Sequence, residues 1–371
     1  MFQTALFSDS VDCSPPTDTV RVAVGAAAAG MVLGEQKDIR YFAAAARSVL
    51  NGPETTGMGY WSVNPYVGCA FGCAYCYARY AHRYVIERRG EGSVAAEGMP
   101  PWLAFERRIF VKRNAPDLLR SALRRGGGAR PHPMIARREA IVVGTATDPY
   151  QPAERRFGVT RGLLEVLAEQ TGLRVVIITK SPLVTRDVDV LARLAGRSAV
   201  SVHVSLITLD RELARRIEPR APTPEARLRA IARLREAGID VGVNVMPVLP
   251  GITDRPSDLE ALVRAIAASG ATFAGACALR LQSEARKRYL PFIEAEFPQL
   301  AERYRTSYAR GHQVSERYRA GLRRVFGALC ERYGVGSGGR DGEDDDIESD
   351  RQVDAPADGT DSSGSQLAFA L

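Results

Sequence analysis

Residues 64–80 read NPYVGCAFGCAYCYARY and contain three of the six cysteines of this 371-residue chain. Cys69, Cys73 and Cys76 have the spacing C-x3-C-x2-C, so their thiols are expected to converge. The stretch follows the first predicted strand, where a dinucleotide-binding sheet carries a Gly-rich phosphate turn. We therefore expect an α/β fold of another kind, with chemistry built around three thiols.

Short apolar runs alternate with longer helix-like stretches after this loop, which indicates parallel strands connected by helices. The runs are apolar throughout, as expected for strands buried on both faces. Six or seven strands between residues 61 and 281 are too few for a closed eight-stranded barrel. The predicted strands lie within residues 108–112, 140–145, 173–179, 199–206, 239–249 and 271–281.

Composition indicates a globular chain without a disulfide framework, since 45% of the residues are hydrophobic and 25% are charged. Cys13, Cys277 and Cys330 are scattered, so the tight cluster points to a metal or redox role in a reducing cytosol. The apolar residues 22–34 are too few to span a bilayer and lie too far from Met1 for a signal peptide. We expect a cytoplasmic protein without a membrane segment.

The net charge of +7 is unevenly divided along the chain. Residues 336–371 carry ten acidic residues and two arginines, which predicts a disordered tail, and residues 1–335 carry a net charge of +15. A basic folded part is compatible with a nucleic acid or another anionic substrate. Solvated arginines on helix faces explain the same charge, and no strand shows the aromatic interleaving that is typical of base stacking.

Two kinds of metal centre could bind to the cysteine loop, a zinc ion or an iron–sulfur cluster. A structural zinc site needs a second Cys pair or two His at fixed spacing, and the sequence offers neither near His82. An iron–sulfur cluster fits better, because one compact loop can supply three thiolates and leave one iron for a ligand from outside the protein. Gly68 and Gly72 would let the backbone approach such a cluster.

The pattern Cys69, Cys73, Tyr75 and Cys76 resembles the motif of the radical S-adenosylmethionine (radical SAM) superfamily. Further stretches are similar to its spore-photoproduct-lyase-like branch, and together they cover about residues 60–282. These stretches are NPYVGCAFGCAYCYAR (64–79), VGTATDPYQPAE (143–154), TKSPLVTRDVDVL (179–191), SLITLD (205–210), EPRAPTPEARLRAI (218–231) and MPVLPGITD (246–254).

The resemblance implies a radical SAM enzyme with a partial (β/α)6 barrel and the site at the carboxyl ends of its strands. The three cysteines would hold a 4Fe–4S cluster whose open iron binds SAM, and Tyr75 would lie beside the adenine. An electron donor such as a flavodoxin or ferredoxin would act as a partner. We then expect four segments: a partly irregular N-terminal extension (1–58), the core barrel (59–282), a helical segment (283–335) and the acidic tail (336–371).

Polar residues at the ends of the predicted strands are further candidates. Lys180 needs an anion, for which the SAM carboxylate is suitable, and the resemblance places Lys180 and Ser205 at SAM-contacting positions. It also places Thr147 and Asp148 near SAM and substrate, with Asp148 the candidate catalytic residue. The alternative for Asp148, and the favoured interpretation of Asp210, is an N-cap.

One difference from the family concerns hydrogen donation to the product. Spore photoproduct lyase has a cysteine that returns hydrogen to the product radical, and this chain has Ala146 at the matching position. Outside the cysteine loop, Cys277 is the one cysteine of the predicted core, and we expect it to be a buried structural residue. The substrate is therefore left unassigned. Two alternatives to a radical SAM enzyme are an iron–sulfur electron carrier or sensor, and a zinc-stabilised nucleic-acid-binding module.

Overall fold

The structure is a computed structural model that describes residues 31–53, 59–79, 98–124, 134, 137 and 139–337. Its main element is a sheet in which six parallel strands lie side by side in chain order, as expected for repeated βα units. This confirms the predicted α/β fold with a parallel sheet. The six strands are β4 (Trp61–Val63), β7 (Ala140–Val143), β8 (Arg174–Thr179), β9 (Ala199–Ser205), β10 (Asp240–Val248) and β11 (Phe273–Ala278).

Two short strands border this sheet. β3 (Leu50–Asn51) runs antiparallel to β4, and β12 (Gly336–Ser337) runs parallel to β11. The predicted acidic tail lies outside the described residues, apart from its first two positions.

A second sheet corrects one prediction. The apolar run 108–112 was expected among the parallel strands, but β6 (Arg108–Val111) pairs with β2 (Ile39–Ala43) and β5 (Tyr66–Val67). β1 (Val32–Gln36) completes a four-stranded sheet in the order β1-β2-β6-β5. Four consecutive buried residues indicate a strand but not the sheet to which it belongs, which only the long-range pairing decides.

Two helices begin at the cap residues that the sequence indicates. The helix Pro224–Glu236 starts at Thr223, whose side chain accepts from the Ala226 N–H, and the chain leaves it through Gly238 at φ +77°. Asp210 caps the helix Arg211–Ile217, as predicted. The helices are α1 (Pro101–Ala104), α2 (Ala115–Arg124), α3 (Pro152–Phe157), α4 (Val159–Ala168), α5 (Val188–Ala195), α6 (Arg211–Ile217), α7 (Pro224–Glu236), α8 (Pro256–Ala268), α9 (Ser283–Glu296), α10 (Ala301–Ser307) and α11 (Glu316–Arg332).

The two faces of the main sheet differ in burial. Along β8, Val175, Ile177 and Thr179 are buried, whereas the alternate residues Val176 and Ile178 are only partly buried. The expectation that both faces are fully buried is therefore wrong for this strand. One face packs into the single large core, and the other is left partly open. Among the described helices, none is long and apolar enough to cross a membrane.

Candidate functional site

The cysteine loop follows β5 and ends in a short 3-10 helix at Tyr77–Arg79. Cys69 and Cys73 are buried, Cys76 is half-buried, and all three are free thiols. Two turns shape the loop, since the Gly72 N–H donates to the Cys69 carbonyl (3.4 Å) and the Cys76 N–H to the Cys73 carbonyl (3.3 Å). The predicted ligands therefore lie together in one compact, enclosed segment.

Burial of the three cysteine sulfurs disfavours their thiolate forms unless a positive charge is bound beside them. Burial raises the pKa of Cys69 to about 12 and also raises the pKa of Cys73 and Cys76. Backbone N–H groups of Phe71 and Asp148 oppose this at Cys69 by hydrogen bonding to its sulfur. A bound metal centre would supply the remaining stabilisation, because coordination deprotonates thiols outright.

The donor set of the loop fits an iron–sulfur cluster better than a structural zinc ion. The loop supplies three free thiols, the donor type that holds iron–sulfur clusters. A structural zinc site takes four protein ligands, usually Cys and His together. Within the described part of the chain, no group of three or more His, Cys, Asp or Glu side chains is arranged to hold a metal ion.

Gln151 holds the loop from the side of β7. Its fully buried side chain donates to the Gly68 carbonyl (3.0 Å) and accepts from the Ala70 N–H (2.9 Å). The Thr147 hydroxyl donates to the same Gly68 carbonyl at 2.6 Å and accepts from Gln151 at 2.9 Å. Thr147, a predicted cofactor-binding residue, therefore supports the loop immediately before Cys69.

Gly68→Ala should destabilise the protein, because residue 68 has φ +89° and a Cβ there would lie 2.8 Å from the Phe105 carbonyl. Backbone atoms cannot move away cheaply, and the left-handed conformation adds strain of about 1–3 kcal/mol. Urea unfolding should show that loss. Gly327→Ala is the matched control, since nothing lies within 4 Å of its added Cβ. Equal stability of the Gly68→Ala variant and the wild type would contradict this account.

The segment 217–220, between α6 and α7, holds the loop from the opposite side. The Ala74 N–H donates to the Ile217 carbonyl (2.9 Å), and the Arg220 N–H donates to the Phe71 carbonyl (3.3 Å). The Arg220 guanidinium also donates to the Ala70 carbonyl through Nε (2.6 Å). Gly72 has φ +66°, a left-handed conformation that favours glycine over residues with a Cβ.

Glu218 is the centre of a buried polar network. Its carboxylate accepts from the Tyr75 hydroxyl and from the Arg227 guanidinium. Lys180 Nζ lies 4.0 Å from Glu218 Oε1 and 5.7 Å from the centroid of the Tyr75 ring. Arg227 also donates to the Ser205 carbonyl at 3.0 Å. Three of the predicted cofactor-binding residues, Tyr75, Lys180 and Ser205, are thus connected through one ion pair that the sequence analysis did not single out.

The charges in this network shift one another's pKa. Burial alone would raise the pKa of Glu218, but Arg227 and Lys180 hold it below its usual value. Burial alone would lower the pKa of Lys180, yet its electrostatic interactions with Cys73 and with the Glu218 carboxylate raise it. Lys180 therefore stays an ammonium next to the cysteine loop.

Asp148 connects the ends of two adjacent strands. Its carboxylate accepts from the Tyr150 N–H (2.8 Å), the Thr179 hydroxyl (2.7 Å) and the Lys180 N–H (2.8 Å). These contacts orient the backbone of Lys180. Two of them come from backbone N–H groups, which fits a structural, cap-like role for Asp148 better than a free catalytic carboxylate. A direct catalytic role for Asp148 stays a prediction.

Strand register aligns two polar residues, Ser205 and Asn244, on the partly open face of the sheet. Ser205 pairs with Asn244, which pairs with Gly275, and Lys180 follows two residues after Ile178 on the same face. Cys277 lies on this face, two residues after Gly275, and is exposed. The expectation of a buried structural cysteine at position 277 is therefore wrong, because the strand alternation turns its side chain away from the core.

The sequence model of the radical SAM superfamily matches residues 132–266, which contain Thr147, Lys180 and Ser205. The chain belongs to the radical SAM superfamily. It is a radical SAM enzyme, and the superfamily implies SAM and a 4Fe–4S cluster as cofactors.

The relatives of this radical SAM enzyme include uncharacterized proteins from distant sources. One from Mycobacterium tuberculosis (strain ATCC 25618 / H37Rv) is 37% identical over 273 residues, which are 74% of each chain. One from Methanocaldococcus jannaschii is 28% identical over 209 residues, covering 56% of this chain and 68% of the other.

Solved structures of spore photoproduct lyase share the fold. A single-residue variant of that enzyme superimposes with a TM-score of 0.57 at 15% identity, covering 83% of this chain and 85% of the other. A variant with bound AdoMet and dinucleoside spore photoproduct gives 0.56 at 16% identity, with the same coverage. At this identity the similarity shows the fold of the radical SAM enzyme and not its substrate.

Proposed function

We propose that Cys69, Cys73 and Cys76 hold a 4Fe–4S cluster and that this enzyme cleaves SAM reductively to abstract a hydrogen atom from its substrate. When bound, the cluster and SAM supply the electron and the 5′-deoxyadenosyl radical for that abstraction. The observation that carries the proposal is a loop with three free thiols, held from two sides and adjacent to an ammonium group. The six parallel strands in chain order support a partial (β/α)6 barrel around it.

The residues around the loop would bind and orient the cofactors. Lys180 would attract the SAM carboxylate, and Glu218, whose Oε1 lies 4.0 Å from Lys180 Nζ, would help to fix its ammonium. Tyr75, whose hydroxyl is held by Glu218, would present its ring beside the adenine. Ser205 and Thr147 lie at the strand ends that border this space. Burial of the loop would keep water away from the reaction.

We infer a substrate derived from nucleic acid. The net charge of +15 over residues 1–335 supports an anionic substrate, and the fold neighbour with a dinucleoside spore photoproduct supports this class by analogy. Ala146 carries no thiol that could return hydrogen to a product radical, which separates this chain from photoproduct repair. A flavodoxin or ferredoxin would supply the electron, in a cytoplasm that keeps the described cysteines free.

Anaerobically reconstituted protein should release 5′-deoxyadenosine and methionine from SAM when a strong reductant is added. Chromatography of the quenched reaction measures both products, and protein without reductant is the control. The competing function is an iron–sulfur electron carrier or sensor. An intact cluster that is reduced without any 5′-deoxyadenosine would favour that alternative and exclude the proposed chemistry.

A further inference from the structure

Lysine is rare in this chain, which makes its positions informative. The sequence has 50 lysines and arginines together, but only four are lysines: Lys37, Lys112, Lys180 and Lys287. Lys37 is exposed, and Lys287 is 59% exposed in an ion pair with Glu284. Lys180 belongs to the network around Glu218. A compact ammonium and a planar guanidinium are not interchangeable, so Lys112 requires its own explanation.

Lys112 lies directly after β6, and its side chain points to the end of β4. Its ammonium donates to the Asn64 carbonyl at 2.9 Å. An ammonium has three N–H donors, and no second acceptor or carboxylate faces this one within the described residues. Burial lowers the pKa of Lys112 to about 8, with no opposing negative charge. At neutral pH, Lys112 is therefore a mostly protonated, half-buried cation that has no counter-ion among the described residues.

Thr145 provides a second unused donor, which is linked to Lys112 through Asn64. The Asn64 side chain is fully committed, because Nδ2 donates to the Thr145 hydroxyl (3.0 Å) and Oδ1 accepts from the Ala146 N–H (2.8 Å). Thr145 is 5% exposed, and its own hydroxyl proton meets no acceptor in the part of the chain that the structure describes. Buried donors without acceptors are costly and uncommon in folded proteins.

Both donors lie at the end of the sheet that carries the cysteine loop. Asn64 follows β4, and Thr145 comes two residues before Thr147, which holds the Gly68 carbonyl. We propose that Lys112 and Thr145 form a binding site for a phosphate group of the substrate. The site deepens the proposed function, because it selects an anionic substrate at the ends of β4 and β7. A charge kept here without a partner would otherwise only destabilise the fold.

Competitive acetylation of the lysines tests this site in the full-length protein with its cluster reconstituted and no SAM added. Mass spectrometry distinguishes all four lysines, and Lys37 and Lys287 serve as internal controls. Inorganic phosphate at about twice its Kd should slow the labelling of Lys112 by about threefold relative to sodium chloride of equal ionic strength. The labelling of Lys37 and Lys287 should not change. Thr145→Val should weaken the protection by phosphate, which is measured for each protein relative to its own labelling rate in chloride.

Three outcomes would overturn the site: equal labelling of Lys112 in phosphate and chloride, no labelling of Lys112 in either salt, or full protection in Thr145→Val. Acetate and the dinucleotide thymidylyl-thymidine form two further arms. Protection of Lys112 by the dinucleotide would support a nucleic-acid phosphodiester as the bound group. Protection by acetate alone would show that the site binds a carboxylate and would contradict a phosphate site. Release of 5′-deoxyadenosine is assayed separately, so that loss of phosphate protection with intact SAM cleavage would reject this site and leave the proposed function standing.

Discussion

Replacing Cys73 with alanine is expected to abolish the iron–sulfur chromophore and SAM cleavage together. Cys73 is buried beside Lys180, and its thiolate has no substitute within the loop. A cluster with only two protein ligands would be lost or bound weakly, because thiolates provide all of its attachment to the chain. Iron and sulfide per chain, visible absorbance and 5′-deoxyadenosine release measure the effect on one preparation.

Cys330→Ala is the matched control for this substitution. Cys330 is likewise a buried free thiol, but it lies on α11, far along the chain from the loop. Its replacement should leave the iron content and SAM cleavage at the wild-type level. If the Cys73→Ala variant kept both its colour and its activity, the cluster would have other ligands, and the assignment of Cys69, Cys73 and Cys76 would fail.

Features that depend on neighbouring residues could be predicted from the sequence. The cysteine spacing, the alternation of strands and helices, and the caps at Thr223 and Asp210 are all local. Burial of β7 follows from its β-branched run, because such residues pack well in parallel sheets. The end of each parallel strand also defines the edge at which polar residues collect, and Lys180 and Ser205 were found in this way.

Features that depend on distant pairing could not be predicted. Glu218 is separated from Tyr75 by more than a hundred residues, and periodicity gives no sign that its carboxylate lies beneath the loop. The signal available was the charged tripeptide EPR at 218–220 in a short connection after a helix. Cys277 illustrates a second limit, since one strand position determines whether a side chain faces the core or the open face.

The network around Glu218 links the stability of the scaffold to the geometry of the site. Tyr75 and Lys180 are both held by a carboxylate that also neutralises Arg227. Arg227 in turn reaches the backbone at the end of β9. The loop and the strand end therefore cannot move independently without breaking buried hydrogen bonds. A change at Glu218 should consequently affect both folding and the placement of the residues expected to bind SAM.

Glu218→Gln should lower the free energy of unfolding by about 3–5 kcal/mol, because it leaves the Arg227 guanidinium buried without a counter-charge. The side chains of Glu218 and Arg227 are only 1% and 2% exposed, so water cannot replace the lost charge. Glutamine keeps the shape of the side chain, which isolates the effect of charge. Urea unfolding of both proteins at neutral pH gives the difference.

The pH dependence of the stability difference between wild type and Glu218→Gln shows whether the lost carboxylate charge causes it. Since the pKa of Glu218 in the folded protein lies below the ordinary 4.5, its contribution is complete above pH 4.5 and is lost as the pH falls through the folded-state value. The gap between wild type and Glu218→Gln should therefore be constant near neutrality and narrow in acid. Asp187→Asn is the control: Asp187 is buried, but its partners Arg161 and Arg186 are 34% and 32% exposed and can be hydrated. An equal loss in both variants would show that burial of the arginine does not determine the cost.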